Sequence, residues 1–289
     1  MIYGKALQEI VCLSCMQRKR SGNDFAEERD GQMEKEKKEV QVGIRINKYL
    51  SEAGICSRRA ADREIENGNV LINGRRAVTG DRVLPGMCVT FCGKEVHPEA
   101  EEIIIAFHKP VGIVCTAEKR EKNNIIDFIH YPKRIYPVGR LDKDSEGLIL
   151  LTNQGDLVNK MMRAGNYHEK EYIVTVNQKI TPEFLEQMRG GLYLEDLDVH
   201  TRPCKVTKIN DRTFRIILTQ GYNRQIRRMC ATCGYRVTRL VRTRVMNILL
   251  GDLKPGTYRE LTAEEFEELK RLTQKSYSAP KGSKQGKRS

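Results

Sequence analysis

The chain has 289 residues, 39% hydrophobic and 31% charged, and its 51 Lys and Arg against 38 Asp and Glu leave a formal net charge of +13. That excess favours a polyanionic partner, through attraction to phosphates and release of their counterions. It does not point to a membrane, since no apolar run approaches the roughly 20 residues of a spanning helix and no signal-peptide pattern opens the chain. An odd count of nine Cys at irregular spacing fits a cytoplasmic protein with reduced thiols better than a secreted disulfide framework.

Residues 1–42 show no sustained period and end in the charge run Glu34–Glu39. They read as a disordered extension, with Met33 as an alternative start. Cys12 and Cys15 have CxxC spacing but no second pair nearby, and a structural zinc site usually needs four ligands.

Residues 43–98 form a small basic module. Ile46, Tyr49, Leu50 and Ala53 have helical spacing, and Gly54 stops that helix. Ser57 is the N-cap of a second helix expected to run to about Asn67. Val70–Ile72, Asn73-Gly74 and Arg75–Val78 predict strand, type I′ turn and strand. Arg58 and Arg59 stand in the first turn of the second helix, where cations oppose the helix dipole. They make sense if a phosphate sits there, held by helix N–H groups and guanidiniums together. Arg45, Lys48, Arg63, Arg75 and Arg76 add to the charge of the same module. Any one of them alone reads as a solvated surface; their density points to RNA.

Residues 101–274 form a larger domain. Strands are expected at 103–107, 149–152, 172–176 and 214–218, and helices at 157–164, 181–190, 223–233 and 262–273. Thr181-Pro182 supplies an N-cap with Pro after it, and Thr262 with Glu265 fits a capping box. The irregular alternation predicts an α+β fold with a mixed or antiparallel sheet. The tail, 275–289, carries basic residues and no acid, and reads as a disordered arm that adds RNA affinity.

No Walker loop, GxGxxG fingerprint, HExxH or GxSxG occurs, and the five His are scattered. Neither a cofactor nor a metal is expected. Two segments stand out. Gly139-Arg140-Leu141-Asp142-Lys143-Asp144-Ser145-Glu146-Gly147 packs acids and bases between glycines before a buried strand, a common place for catalytic groups. A charged surface turn is the plainer reading, and nothing physical chooses between Asp142, Asp144 and Glu146. In 220–229, Ile226, Met229, Cys230 and Cys233 face a core on a helix, while Arg224, Arg227 and Arg228 lie off that stripe. The CxxC pair Cys230/Cys233 reads as buried small hydrophobes. An Arg beside a catalytic carboxylate would keep it ionised.

The segment RINKYLSEAGICSRRAADREIENGNVLINGRRA (45–77) closely resembles the S4 RNA-binding domain, which implies binding of structured RNA. VGRLDKDSEGLILLTNQGDL (138–157) and GYNRQIRRM (221–229) resemble the signature segments of RNA pseudouridine synthases of the RsuA/RluB/RluE/RluF group. HKPVGIVCT (108–116), HEKEYIVTV (168–176) and residues 242–265 extend the likeness. LVNKMMRAGNYHEKEY followed by TRVMNILL looks most like the RluF branch. His108 stands where the family usually has Asn. The resemblance implies isomerisation of a uridine in ribosomal RNA, 23S in the RluF branch, by a cytoplasmic monomer without a cofactor. It makes Asp142 the nucleophile or the base assisting glycosidic cleavage, paired with Arg227. Tyr172 would stack on the uracil and Leu240 would pack beside it. Arg140 and Lys109 would hold the phosphates of the flipped nucleotide. The competing readings are the same enzyme acting on 16S rRNA or tRNA, and a non-catalytic S4-type protein of ribosome assembly.

Overall fold

The computed structural model describes residues 43–276. The extension over 1–42, with Cys12, Cys15 and Met33, and the tail from residue 277 lie outside the described residues.

The N-terminal module runs β1 (Ile44–Arg45), α1 (Ile46–Glu52), α2 (Arg58–Glu66), β2 (Val70–Ile72), β3 (Arg75–Arg76), β4 (Arg82–Val83), β5 (Val89–Phe91) and β6 (Lys94–Glu95). The Ser57 hydroxyl accepts the Ala60 N–H at 3.3 Å, which starts α2 where the sequence predicts it. Asn73 and Gly74 have φ of 49° and 78°, so both turn residues of the β2–β3 hairpin are left-handed, as a type I′ turn requires. Ile46, Leu50, Ala61, Ile65, Val70 and Val89 close a separate small core.

The larger unit runs β7 (Ile104–Lys109), α3 (Ile125–Ile129), β8 (Tyr136–Pro137), β9 (Glu146–Thr152), α4 (Gly155–Met162), β10 (Lys170–Val176), α5 (Pro182–Gly190), β11 (Tyr193–Leu194), β12 (Val199–His200), β13 (Lys205–Asn210), β14 (Thr213–Leu218), α6 (Gln225–Thr232), β15 (Val237–Val245), β16 (Ile248–Leu249), β17 (Tyr258–Glu260) and α7 (Ala263–Thr273). Nine strands make one sheet in the order β13-β14-β10-β15-β9-β7-β17, with β8 on β9 and β16 on β15. All its pairings are antiparallel except β9–β15. The fold is therefore α+β with a mixed sheet.

β9 is the pivot. From Gly147 to Thr152 its residues are buried, because α4 and α7 cover one face and α3 with its flanking loops covers the other. A strand buried on both faces reads as an apolar run, which is why Ile149–Leu151 stands out in the sequence. The second half of the sheet buries Val174, Phe214, Ile216 and Leu240 against α5 and α6, with Cys230 fully buried and Cys233 packed beside it. Burial pushes the Cys230 thiol up to about 12, so this cysteine is an apolar filler. The capping box at Thr262 and Glu265 forms in both directions.

The longest strand of the sheet, β15, was not expected. Its sequence, VTRLVRTRV, never runs apolar for more than two residues. Register shifts against β10 break its in-out alternation. Three arginines in nine positions conceal a strand whose identity depends on β10 and β9, whose paired residues lie 61 to 95 positions away.

Candidate active site

β9 and β15 run parallel with only Val241↔Glu146 and Arg242↔Gly147 in register. The loop entering β9 and the helix preceding β15 therefore meet above this short junction, and a cleft of about 690 Å3 opens there. Asp142, Arg140, Tyr172, Arg224, Leu240 and Arg242 all line it.

The Asp142 loop is pinned along its backbone. Leu141 is buried and its N–H points at Cys115 Sγ, 3.3 Å away. The Ser145 N–H donates to the Asp142 carbonyl at 3.1 Å, and the Gly112 N–H to the Lys143 carbonyl at 2.8 Å. Ser145 itself is fully buried. The Asp142 side chain is left 31% exposed, facing the cleft. A rigid main chain holding an accessible carboxylate is the arrangement nucleophilic or general-base chemistry needs.

The cations around this loop differ from expectation. Arg227 does not pair with Asp142. Its Nη2 donates to the Asp144 carbonyl at 2.8 Å and lies 3.3 Å from the Asp144 carboxylate. The guanidinium next to Asp142 belongs to Arg224, with Nη1 at 3.7 Å. Arg224 is anchored by a two-pronged pair with Asp144 at 3.0 and 2.9 Å. The reason lies at the start of α6: Arg224 has φ of 51°, and this left-handed turn swings its side chain over the loop, while Arg227 lies one turn deeper, beneath it. The Arg224 guanidinium, and then the charge of Arg227, hold the Asp144 carboxyl below the usual range. Asp144 thus anchors Arg224 beside the loop.

Tyr172 and Leu240 do come together at the cleft. Tyr172 of β10 pairs across the sheet with Arg242, and Val174 with Leu240, so the aromatic ring and the leucine share one wall. Arg140 is exposed and lines the same cleft. Lys109 does not reach it. It is 0% exposed, its ammonium bonds the carbonyls of Pro110 and Ile113 at 2.9 and 2.8 Å, and burial pulls its pKa down. Phosphate holding by Lys109 is therefore corrected: it is a buried cation tying the first loop of the domain. His108, also buried, places Nδ1 2.6 Å from the Leu253 carbonyl.

On the small module, Arg45, Arg58, Arg59 and Arg63 are exposed. Lys48 is committed elsewhere, bonded to Asp156 of α4 at 2.7 Å and close to Glu52. Arg75 is tied to Asp81 at 2.8 Å, though it remains at the surface.

Sequence reasoning passed over three cleft residues, Lys170, Gln220 and Arg242. All are buried polar groups lining the cleft. A signal existed for two of them. Lys170 lies two residues before Tyr172 and Arg242 two after Leu240, and the period of a strand puts such neighbours on one face.

The family model for RNA pseudouridylate synthase matches residues 103–232, and that for the S4 domain matches 44–89. Dual-specificity RNA pseudouridine synthase RluF of Escherichia coli (strain K12) is 54% identical over 240 residues, 82% of each chain. An uncharacterized RNA pseudouridine synthase of Aquifex aeolicus (strain VF5) is 36% identical over 235 residues, covering 79% of this chain and 97% of its own. A crystal structure of a pseudouridylate synthase superposes with a TM-score of 0.58 at 27% identity, over 78% of this chain and 99% of that one. The chain belongs to the RNA pseudouridine synthases, enzymes that isomerise uridine to pseudouridine within RNA. Among them it is RluF-like, with an S4 domain ahead of the catalytic domain.

Proposed function

We propose that this enzyme isomerises a uridine of ribosomal RNA, in the large subunit's 23S rRNA, with Asp142 as the reacting carboxylate. The observation that carries the assignment of Asp142 is its place: an accessible carboxylate on a pinned loop, sharing one cleft with Tyr172 and Leu240. The target uridine flips from its stack, at a cost of a few kcal/mol, and its ring lies between the tyrosine and the leucine. Asp142 then acts at C1′ or as a base while the N1–C1′ bond breaks. Arg224 orients the carboxylate from 3.7 Å, and Arg227 acts at one remove, by holding the main chain of the Asp142 loop.

The likeness to RluF supports 23S rRNA as the substrate, and the dual specificity in that relative's name makes a second RNA target, such as a tRNA, an extension of the same reading. Arg45, Arg58, Arg59 and Arg63 bind RNA phosphates from the small module, which we delimit at 43–98, ahead of a catalytic domain at 101–274. Arg140 contacts the backbone of the flipped nucleotide at the rim. No helix among the described residues is long and apolar enough to cross a membrane, and a cytoplasmic location suits an enzyme of ribosome maturation.

The test is pseudouridine mapping of total RNA from cells with and without the gene, and from cells carrying Asp142→Asn. One site should vanish from 23S rRNA in both. A site lost only from 16S rRNA or tRNA would reassign the substrate. An unchanged map, with rRNA binding retained, would leave an RNA-binding protein without this chemistry.

A further inference from the structure

The floor of the cleft carries buried hydrogen-bond donors for which the fold supplies too few acceptors. Gln220 is 5% exposed and its Nε2 has no partner among the described residues. Arg242 is 2% exposed; Nε donates to the Leu148 carbonyl at 2.6 Å and Nη1 reaches the Arg140 carbonyl at 3.5 Å, but Nη2 has no partner among these residues. Lys170 is 7% exposed and, among the described residues, its ammonium donates only to the His168 carbonyl, at 3.2 Å. Among the described residues neither cation is paired with a carboxylate, and the charged group acting on Lys170 is Arg242, which repels it. Burying unpaired donors and two like charges destabilises a fold, and apolar residues would serve packing better.

All three side chains line the same cleft as Asp142 and Tyr172. What they require is a ligand rich in acceptor oxygens that carries negative charge. A phosphodiester meets that description, but the cation suited to it is Arg140, exposed where the strand must pass. The three donors lie instead on the Tyr172 face, where the base itself is held. One of them is a neutral amide, which suits a carbonyl oxygen better than a phosphate.

We propose that Lys170, Gln220 and Arg242 form a donor set for the uracil ring, hydrogen-bonding its carbonyl oxygens O2 and O4 while the ring is detached and anionic. The proposal rests on the reading of the cleft given above. When the N1–C1′ bond breaks, its electron pair stays with the ring and spreads over N1, O2 and O4. The ring turns, C5 supplies an electron pair to C1′, the C5 proton leaves, and N1 takes one up. Atoms and charge balance as an isomerisation, so no co-reactant is called for. Fixed donors aimed at the oxygens where charge develops are worth more in such a buried site than in water.

The test is single-turnover conversion of two RNAs, one with uridine and one with 5-fluorouridine at the target position, by the full-length enzyme and by Gln220→Leu, Lys170→Met and Arg242→Met. The fluorine withdraws electrons and disperses the ring charge without the protein's help. At saturating uridine RNA each variant should be slowed roughly 10²-fold, with RNA affinity unchanged. With 5-fluorouridine RNA, followed by loss of the N-glycoside, the defect should shrink. Equal defects on both RNAs would overturn the proposal, as would a loss confined to affinity with a flatter salt dependence, which would mark a phosphate site. Gln220→Leu preserves volume and removes no charge, so it reports even if Arg242→Met fails to fold. If the unsubstituted enzyme converts no uridine, the functional reading itself fails; if it converts and the variants keep its rate, this proposal alone does.

Discussion

Gly147 and Arg242 are paired across the β9–β15 junction so closely that a β-carbon on Gly147 would stand 2.4 Å from the Arg242 carbonyl oxygen and 2.5 Å from its nitrogen. Gly147 also has φ of 111°, which side-chain-bearing residues rarely adopt. The glycine that closes the charged segment is therefore what lets the two halves of the sheet meet beneath the active site.

Gly147→Ala should accordingly cost stability at or above the upper end of the roughly 0.5–3 kcal/mol usual for single substitutions. Neither clashing atom is a flexible side chain, so the strand must shift. Urea denaturation would show a lowered midpoint, and any folded fraction should have reduced kcat because the Asp142 loop moves with β9. A variant with unchanged midpoint would contradict the close approach.

The carboxylates of the loop should separate by role. Asp142→Asn is expected to abolish conversion while RNA binding persists. Asp144→Asn removes the two-pronged anchor of Arg224 and should lower kcat by about 10- to 100-fold, as a misplaced positioning group does. Arg224→Ala should resemble Asp144→Asn, and the double variant should be little worse than either single one, since both break one contact. Steady-state kinetics of the set would show it; additive losses would mean independent roles.

The exposed and the committed cations of the small module should behave differently. Arg58→Ala with Arg59→Ala should weaken RNA binding and flatten the dependence of log K on log salt by roughly 1.5, for two phosphate contacts. Lys48→Ala should change that slope much less, because its ammonium already faces Asp156 and Glu52. Binding isotherms at several salt concentrations distinguish these outcomes.

Lys170 links the site to stability. Burial, and then the charge of Arg242, lower its pKa to about 8 from the ordinary 10.5. The folded state thus disfavours the ammonium. Between about pH 8 and 10.5 the unfolded chain binds more protons than the folded one at this group, so its contribution to stability rises across that window. Below pH 8 the cost is constant and at its largest. Lys170→Met should therefore raise the melting temperature at pH 7, and the advantage should narrow as pH climbs through the window. A variant that is less stable at pH 7 would show that Lys170 has a partner that offsets its burial. Stability gained as activity falls is the expected trade at a site built for function.

Much of this protein was legible in its amino-acid sequence. The cap at Ser57, the Asn73-Gly74 hairpin, the capping box at Thr262 and the buried run Ile149–Leu151 are local or periodic signals, and each formed as expected because neighbours in sequence suffice to decide it. The net charge and the Arg-rich module pointed to RNA by residue type and density, whereas uridine isomerisation, and Asp142 among the three acids of its loop, followed from the resemblance of the segments around Asp142 and Arg227 to pseudouridine synthase signatures. Tertiary structure decided the rest. Arg224, not Arg227, faces Asp142; Lys109 is sealed inside; Lys48 is occupied; and Lys170, Gln220 and Arg242 are buried at the cleft. The Arg224–Asp142 and Arg227–Asp144 approaches join residues some 80 positions apart, brought together where β9 and β15 meet in parallel. Burial likewise depends on which layers cover a strand, and charge patterns in one segment cannot express that.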